Sequence, residues 1–247
     1  MKILVTNDDG INAEGIETLA RCAQKFGEVI VIAPQEQCSA MSHHITLRDK
    51  MTIRRHDFAV PGVKAYAFTG TPADCVRASF LGLFKDGEKP DLVLSGVNKG
   101  ANCGFDIQYS ATVGAAMEAL LYEVPAICFS QNYFHDALEC HEDVMHEHIE
   151  EVLRELIAKP LEKGLAWNVN FPSCTLNEYK GILYDRFPAQ RAFWDDHYVV
   201  EEGMDTDTEK EVALKTVPVE KAEEGSDMQA VIEGYISIGT IRNTVLR

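Results

Sequence analysis

The chain has 247 residues, 46% of them hydrophobic and 25% charged, which excludes a disordered or membrane-embedded chain and allows one sizeable core. Its 39 acidic against 23 basic residues give a formal charge of -16, which excludes a broad, sequence-independent grip on nucleic acid phosphates. Small molecules or proteins are the expected partners, with no nucleic acid and no membrane. Seven cysteines are scattered without any C-x-x-C pair, so reduced thiols and a cytoplasmic location are expected. Met1 runs straight into strand-like residues, so no signal peptide is expected, and no apolar stretch approaches about 18 residues.

Ile3 to Thr6, Glu14 to Phe26 and Val29 to Ala33 read as a βαβ unit. In its helix Ile16, Leu19, Ala20, Ala23 and Phe26 share one face, and Gly27 stands where a C-terminal cap belongs. Thr46 to Val60, charged and β-branched, is expected to be an exposed hairpin. The alternation resumes with a strand at Ala65 to Phe68, a helix from Pro72 to about Leu83 and a strand at Leu92 to Leu94. A helix from Ala111 to Tyr122 and a strand at Ala126 to Phe129 follow. Beyond Glu142 comes an amphipathic helix with Val144, Ile149, Val152 and Leu156 on one side, then a strand at Trp167 to Phe171. This alternation predicts an α/β fold: a Rossmann-like, doubly wound, mostly parallel sheet in three layers, α/β/α.

After Asp185 the texture changes. Arg186 to Thr208 mixes aromatics with acids without helical period, and Val212 to Val219 and Tyr235 to Ile241 read as strands. One domain over 1–247 is expected, with a core at about 1–185 and a C-terminal β-hairpin arm at about 186–247. The arm's aromatics, Phe187, Phe193, Trp194 and Tyr198, follow no local core pattern, so the arm is expected to reach onto another subunit in a homodimer or homotetramer.

Ligands of open parallel sheets bind beyond the carboxyl ends of the strands. Three such loops stand out: Thr6-Asn7-Asp8-Asp9-Gly10, Pro34 to Ser39, and Ser95 to Gly100. Two adjacent carboxylates ending a buried strand repel each other, and a divalent cation relieves the repulsion. With the Ser39 hydroxyl and the Asn98 amide oxygen, Asp8 and Asp9 make an all-oxygen set suited to Mg²⁺, Mn²⁺ or Ca²⁺ rather than zinc. Helix capping by the aspartates fits the same residues equally well. Gly96 to Thr112 is rich in glycine and small polar residues ahead of a helix, placing Ser110 and Thr112 where free amides and the helix dipole favour phosphate. The loop matches neither a P-loop nor G-x-G-x-x-G, which removes kinase and dehydrogenase readings. The histidines at 135, 141, 146 and 148 lack H-E-x-x-H spacing, and a charged helical face accounts for them better than zinc.

The opening MKILVTNDDGI, the segment from Pro34 through Ser39 to His43 and Thr46, TGTPADCV at 69–76, SGVNKGANCG at 95–104, YSATVGAAMEA at 109–119 and NVNFP at 168–172 together resemble the SurE family. The resemblance implies a 5′/3′-nucleotidase that hydrolyses nucleoside monophosphates, and in some members short polyphosphate. It implies one divalent ion per subunit on Asp8, Asp9, Ser39 and Asn98, with Asp8 and Asp9 catalytic, and a phosphate pocket at Asn102, Ser110 and Thr112. The family usually has glycine where this chain has Ala40 and Ala111. Two other chemistries share parts of this pattern. A receiver-like Mg²⁺-binding signalling module needs a phosphoacceptor aspartate, for which Asp57 is the only candidate by position. An aspartyl-phosphate phosphatase needs a nucleophilic aspartate two residues before an acid, and the residue two before Asp9 is Asn7.

Overall fold

A computed structural model describes residues 1–83, 89–133, 140–205 and 210–246. Its main sheet has nine strands: β1 (Lys2–Thr6), β2 (Glu28–Pro34), β3 (Ile53–His56), β4 (Lys64–Phe68), β5 (Leu92–Lys99), β6 (Ala126–Gln131), β7 (Leu165–Phe171), β8 (Ile182–Arg186) and β11 (Ile236–Arg242). They lie in the order β3-β4-β2-β1-β5-β6-β7-β11-β8. The run from β4 to β7 is parallel throughout, while β3 and β11 enter antiparallel to β4 and β7. β9 (Trp194–Asp205) and β10 (Lys210–Pro218) form a separate antiparallel hairpin.

Strand alternation explains why both faces of the sheet must be covered. In β1, Ile3 and Val5 enter one core with Ile16 and Leu19 of α1 (Glu14–Ala23) and Val144 and Ile149 of α4 (Asp143–Ile157). Leu4 between them enters the opposite core, with Cys75 and Val76 of α2 (Pro72–Ala78) and Val113, Ala116 and Ala119 of α3 (Ala111–Leu121). A strand buried on both sides reads as a continuous apolar run, as β1 and β2 do. The result is the three-layer α/β arrangement expected from the sequence.

Several expectations change in detail. α1 ends at Ala23 with Gln24 as its cap, short of Gly27. The helix from Pro72 is α only to Ala78, after which Ser79–Leu83 widens into a π-helical turn. The expected hairpin between Thr46 and Val60 is a single edge strand, β3, whose charged Arg54 and Arg55 are exposed as sheet edges require. The extension proper is β9 and β10. The chain then returns through α5 (Asp227–Ile232) and threads β11 between β7 and β8. Phe193 is buried within this chain, beside Cys103, Ala189 and Met228, whereas Phe187 and Tyr198 are exposed.

Two features of β5 shape the rim where the site lies. Its register to β6 shifts between Ser95 and Asn98, lifting the strand's end out of the regular ladder. Gly96 sits there at φ +131, and a Cβ on it would fall 2.2 Å from the Phe129 carbonyl oxygen, so only glycine fits. From the other side α1 presses close: a Cβ on Gly15 would fall 2.1 Å from the Val97 carbonyl oxygen.

Candidate metal and phosphate site

Because β1, β2 and β5 are adjacent and parallel, their carboxyl ends share one rim. Past Thr6, the Asn7 side-chain amide donates to the Gly10 carbonyl oxygen (2.9 Å) and turns the chain, so that Asp8 and Asp9 cap the strand. The Ile11 N–H donates to the Pro34 carbonyl (2.9 Å) and the Cys38 N–H to the Asp8 carbonyl (2.7 Å), folding the loop after β2 over the loop after β1. From β5, the Lys99 N–H donates to Asp9 Oδ2 (2.9 Å). Asn98 spends Nδ2 on the Gly100 carbonyl (2.8 Å), which leaves Oδ1 as the end available to a cation. Gln37 donates to Ser39 Oγ (2.9 Å) and also bonds Asp9. Asp8, Asp9, Ser39 and Asn98 are thus gathered by a web of short hydrogen bonds.

The electrostatics are unfavourable without a counter-charge. Asp8 is 3% exposed, and burial pushes its carboxyl up to about 7; the Thr112 hydroxyl opposes the rise and the charge on Asp9 adds to it. Asp9 is also raised, again by burial first, against the Lys99 backbone hydrogen bond and charge. Two partly desolvated carboxylates beside neutral oxygen donors fit a hard divalent cation, whose charge offsets both terms. Among the described residues no thiolate or imidazole joins them, and such a donor set does not suit zinc.

The phosphate-side residues are placed as follows. Ser110 caps α3, accepting from the Val113 N–H (3.1 Å). Thr112, fully buried at the second position of α3, donates its hydroxyl to Asp8 Oδ1, so its side chain orients the carboxylate instead of facing open space. Asn102 lies in the loop after β5 and donates Nδ2 to Ser130 Oγ (2.8 Å). Ala40 holds a left-handed backbone at φ 56, a conformation glycine adopts more cheaply. Ala111 is the first residue of α3 and is buried.

A second cluster had no signal in the sequence. Glu118, on α3 and 2% exposed, accepts from His43 Nε2 (2.8 Å) and Arg77 (3.2 Å). Burial would raise its carboxyl, yet His43, Tyr122 and Arg77 hold it below the ordinary value. This ties the loop carrying Ser39 down onto the helix that carries Thr112.

The histidines do not assemble. His141, His146 and His148 each face an acid instead, Asp143, Glu142 and Glu151 respectively, and His135 lies outside the described residues. Among the described residues no group of three or more His, Cys, Asp or Glu could hold a metal. Asp57 follows the edge strand β3, which runs antiparallel, and so sits at the opposite rim of the sheet from Asp8. That separation removes the receiver reading.

A family model described as "Survival protein SurE" matches residues 3–193. The chain belongs to the SurE family. It is similar to a 5'-nucleotidase SurE of Clostridium botulinum (strain Alaska E43 / Type E3), 36% identical over 238 residues, covering 96% of this chain and 92% of the relative. Another 5'-nucleotidase SurE, of Brevibacillus brevis, is 41% identical over 189 residues and covers 74% of this chain and 71% of its own. Among solved structures, the SurE protein from Aquifex aeolicus superposes with a TM-score of 0.80 at 29% identity, covering 98% of this chain and 93% of that one.

Burial of Asp8 has a measurable signature. Its folded value of about 7 lies above the ordinary 3.8, so folding takes up a proton; the stability this gives is full at low pH and is lost as pH rises through 7. Asp8→Asn removes the charge and keeps an acceptor for Thr112. In EDTA, the melting advantage of Asp8→Asn over the parent is expected to grow between pH 4 and pH 7 and then level off. A difference independent of pH would contradict the buried-carboxylate account.

Proposed function

We propose that this chain is a divalent-metal-dependent 5'-nucleotidase, hydrolysing nucleoside monophosphates to nucleoside and phosphate. The observation that carries the reading is the adjacent pair of Asp8, buried, and Asp9, half-buried, at the strand rim, with the N-terminus of α3 directly beside them through Thr112. The relatives printed as 5'-nucleotidase support it. Asp8, Asp9, Ser39 and Asn98 hold Mg²⁺, Mn²⁺ or Ca²⁺, one ion per subunit. Bound there, the cation supplies positive charge that polarises a phosphoryl oxygen and acidifies water.

The chain's own residues do the rest. Thr112 fixes the Asp8 carboxylate by its hydroxyl, so the charge faces the rim in one orientation. The free amides at the start of α3, with Ser110 and the Asn102 side chain, bind the phosphoryl oxygens and hold the ester beside the carboxylates. Asp8 or Asp9 accepts the proton of the attacking water. The web of backbone hydrogen bonds around Asp8 and Asp9 keeps these groups in place before substrate arrives, which is where positioning contributes to rate.

The activity test is a panel of nucleoside 5'- and 3'-monophosphates, short polyphosphate and p-nitrophenyl phosphate, each with Mg²⁺, Mn²⁺, Ca²⁺ or EDTA. Hydrolysis of a nucleoside monophosphate, abolished by EDTA and reduced on the order of 100-fold or more in Asp9→Asn, is expected. Parental turnover in Asp9→Asn with an unaltered melt would refute the assignment.

The β9 and β10 hairpin extends this proposal to assembly. On one face it exposes Tyr198, Val200, Val212 and Leu214, an apolar surface suited to a second copy of the chain. A cytoplasmic homodimer or homotetramer is the form proposed, with the domain built as a sheet core plus this arm. Sedimentation at micromolar concentration should show a mass of at least two chains; a strict monomer would rule it out.

A further inference from the structure

β7, an interior strand, carries two asparagines, Asn168 and Asn170. Being two apart, they share one face, while Val169 and Phe171 between and beyond them enter the core under α1 and α4. Asn170 is fully buried and Asn168 nearly so. Buried amides are costly unless they are hydrogen-bonded, so their partners matter.

Both asparagines turn to the same residue in a distant loop. Asn170 Oδ1 accepts from the Asn102 N–H (2.7 Å), and its Nδ2 donates to the Asn102 carbonyl oxygen (3.3 Å). Asn168 Nδ2 donates to that carbonyl as well (2.9 Å). From β6, Ser130 Oγ accepts one N–H of the Asn102 side chain (2.8 Å). The carboxamide of Asn170 therefore grips Asn102 as a neighbouring peptide group would, taking its donor and its acceptor together. Only an amide offers both ends at that length; a carboxylate would repel the carbonyl, and an aliphatic chain would leave both groups unpaired.

We propose that Asn168 and Asn170 are positioning residues for phosphoryl binding. They fix the backbone of Asn102, Ser130 fixes its rotamer, and the second Nδ2 hydrogen is thereby aimed at the phosphoryl group held at the start of α3. The proposal rests on the reading of Asn102 as a phosphate contact. Loss of the grip lets Asn102 drift without touching the carboxylates or the cation, so phosphate affinity and metal affinity should separate.

The test uses the full chain with Mn²⁺ and measures competitive inhibition of p-nitrophenyl phosphate hydrolysis by inorganic phosphate. Asn170→Leu is nearly isosteric and removes both ends of the grip. It is expected to raise the inhibition constant and KM on the order of 10-fold while the Mn²⁺ dependence stays within about twofold. Asn102→Ala should raise the inhibition constant comparably, and Asn170→Leu should add nothing further in that background, because the two act as one unit. Effects that multiply in the double variant, an unchanged inhibition constant in Asn170→Leu, or an equal loss of Mn²⁺ affinity would each overturn the positioning role. An Asn102→Ala variant with parental phosphate inhibition would overturn instead the reading on which it rests. Asn168→Leu, which cuts a single bond, answers the same comparison if Asn170→Leu gives no cooperative melt.

Discussion

Two carboxylates adjacent in sequence, one of them almost wholly out of water, end an interior strand of the sheet. Burial makes Asp8 hard to ionise and the charge on Asp9 makes it harder still, so its carboxyl is pushed up to about 7. A protein that tolerates this arrangement keeps a local cost at its centre, and strained electrostatics of this kind mark functional rims more often than structural ones. Much of the neighbouring structure serves to keep the pair where it is. Thr112 reaches in from α3, the Cys38 amide from the loop after β2, and the Lys99 amide from the end of β5.

The fold makes that convergence possible through close backbone approaches. α1 can press on Val97 because residue 15 is glycine, and β5 can leave its register beside Phe129 because residue 96 is glycine. Displacing either contact would move Asn98 relative to Asp9, since the Lys99 amide next to Asn98 ties the end of β5 to the Asp9 carboxylate. The cluster of Glu118, His43 and Arg77 performs the same service for the loop that carries Ser39. Preorganisation of the site is therefore spread over residues that touch neither a metal nor a phosphate.

The parallel core was legible because β1 and β2 are continuous apolar runs and α1 and α4 carry one apolar face each. The candidate rim was legible because the loops carrying Asp8 and Asp9, Ser39 and Asn98 come at the ends of three such strands. What escaped has a common cause. β8 is half-buried near an edge and α5 has six residues, so neither builds a readable pattern. β11 was legible as a strand, but its place between β7 and β8 depends on pairing across some 70 residues. Nothing local in the sequence pairs Asn168 and Asn170 with Asn102, or Glu118 with His43, because these partners lie 66 to 75 positions away. Thr112 was read as a phosphate contact because helix N-termini favour anions, whereas its hydroxyl is turned inward to Asp8.

The claim on which the account turns is that Asp8 and Asp9 together hold a divalent cation. Calorimetric titration of Mn²⁺ into the metal-free protein near pH 7, repeated in two buffers of different ionisation enthalpy, measures affinity, stoichiometry and proton release at once. The account predicts one ion per chain, release of a fraction of a proton as Asp8 ionises, and an affinity lower by on the order of 10-fold or more in Asp8→Asn, with the proton release gone. Parental Mn²⁺ affinity in Asp8→Asn would contradict it.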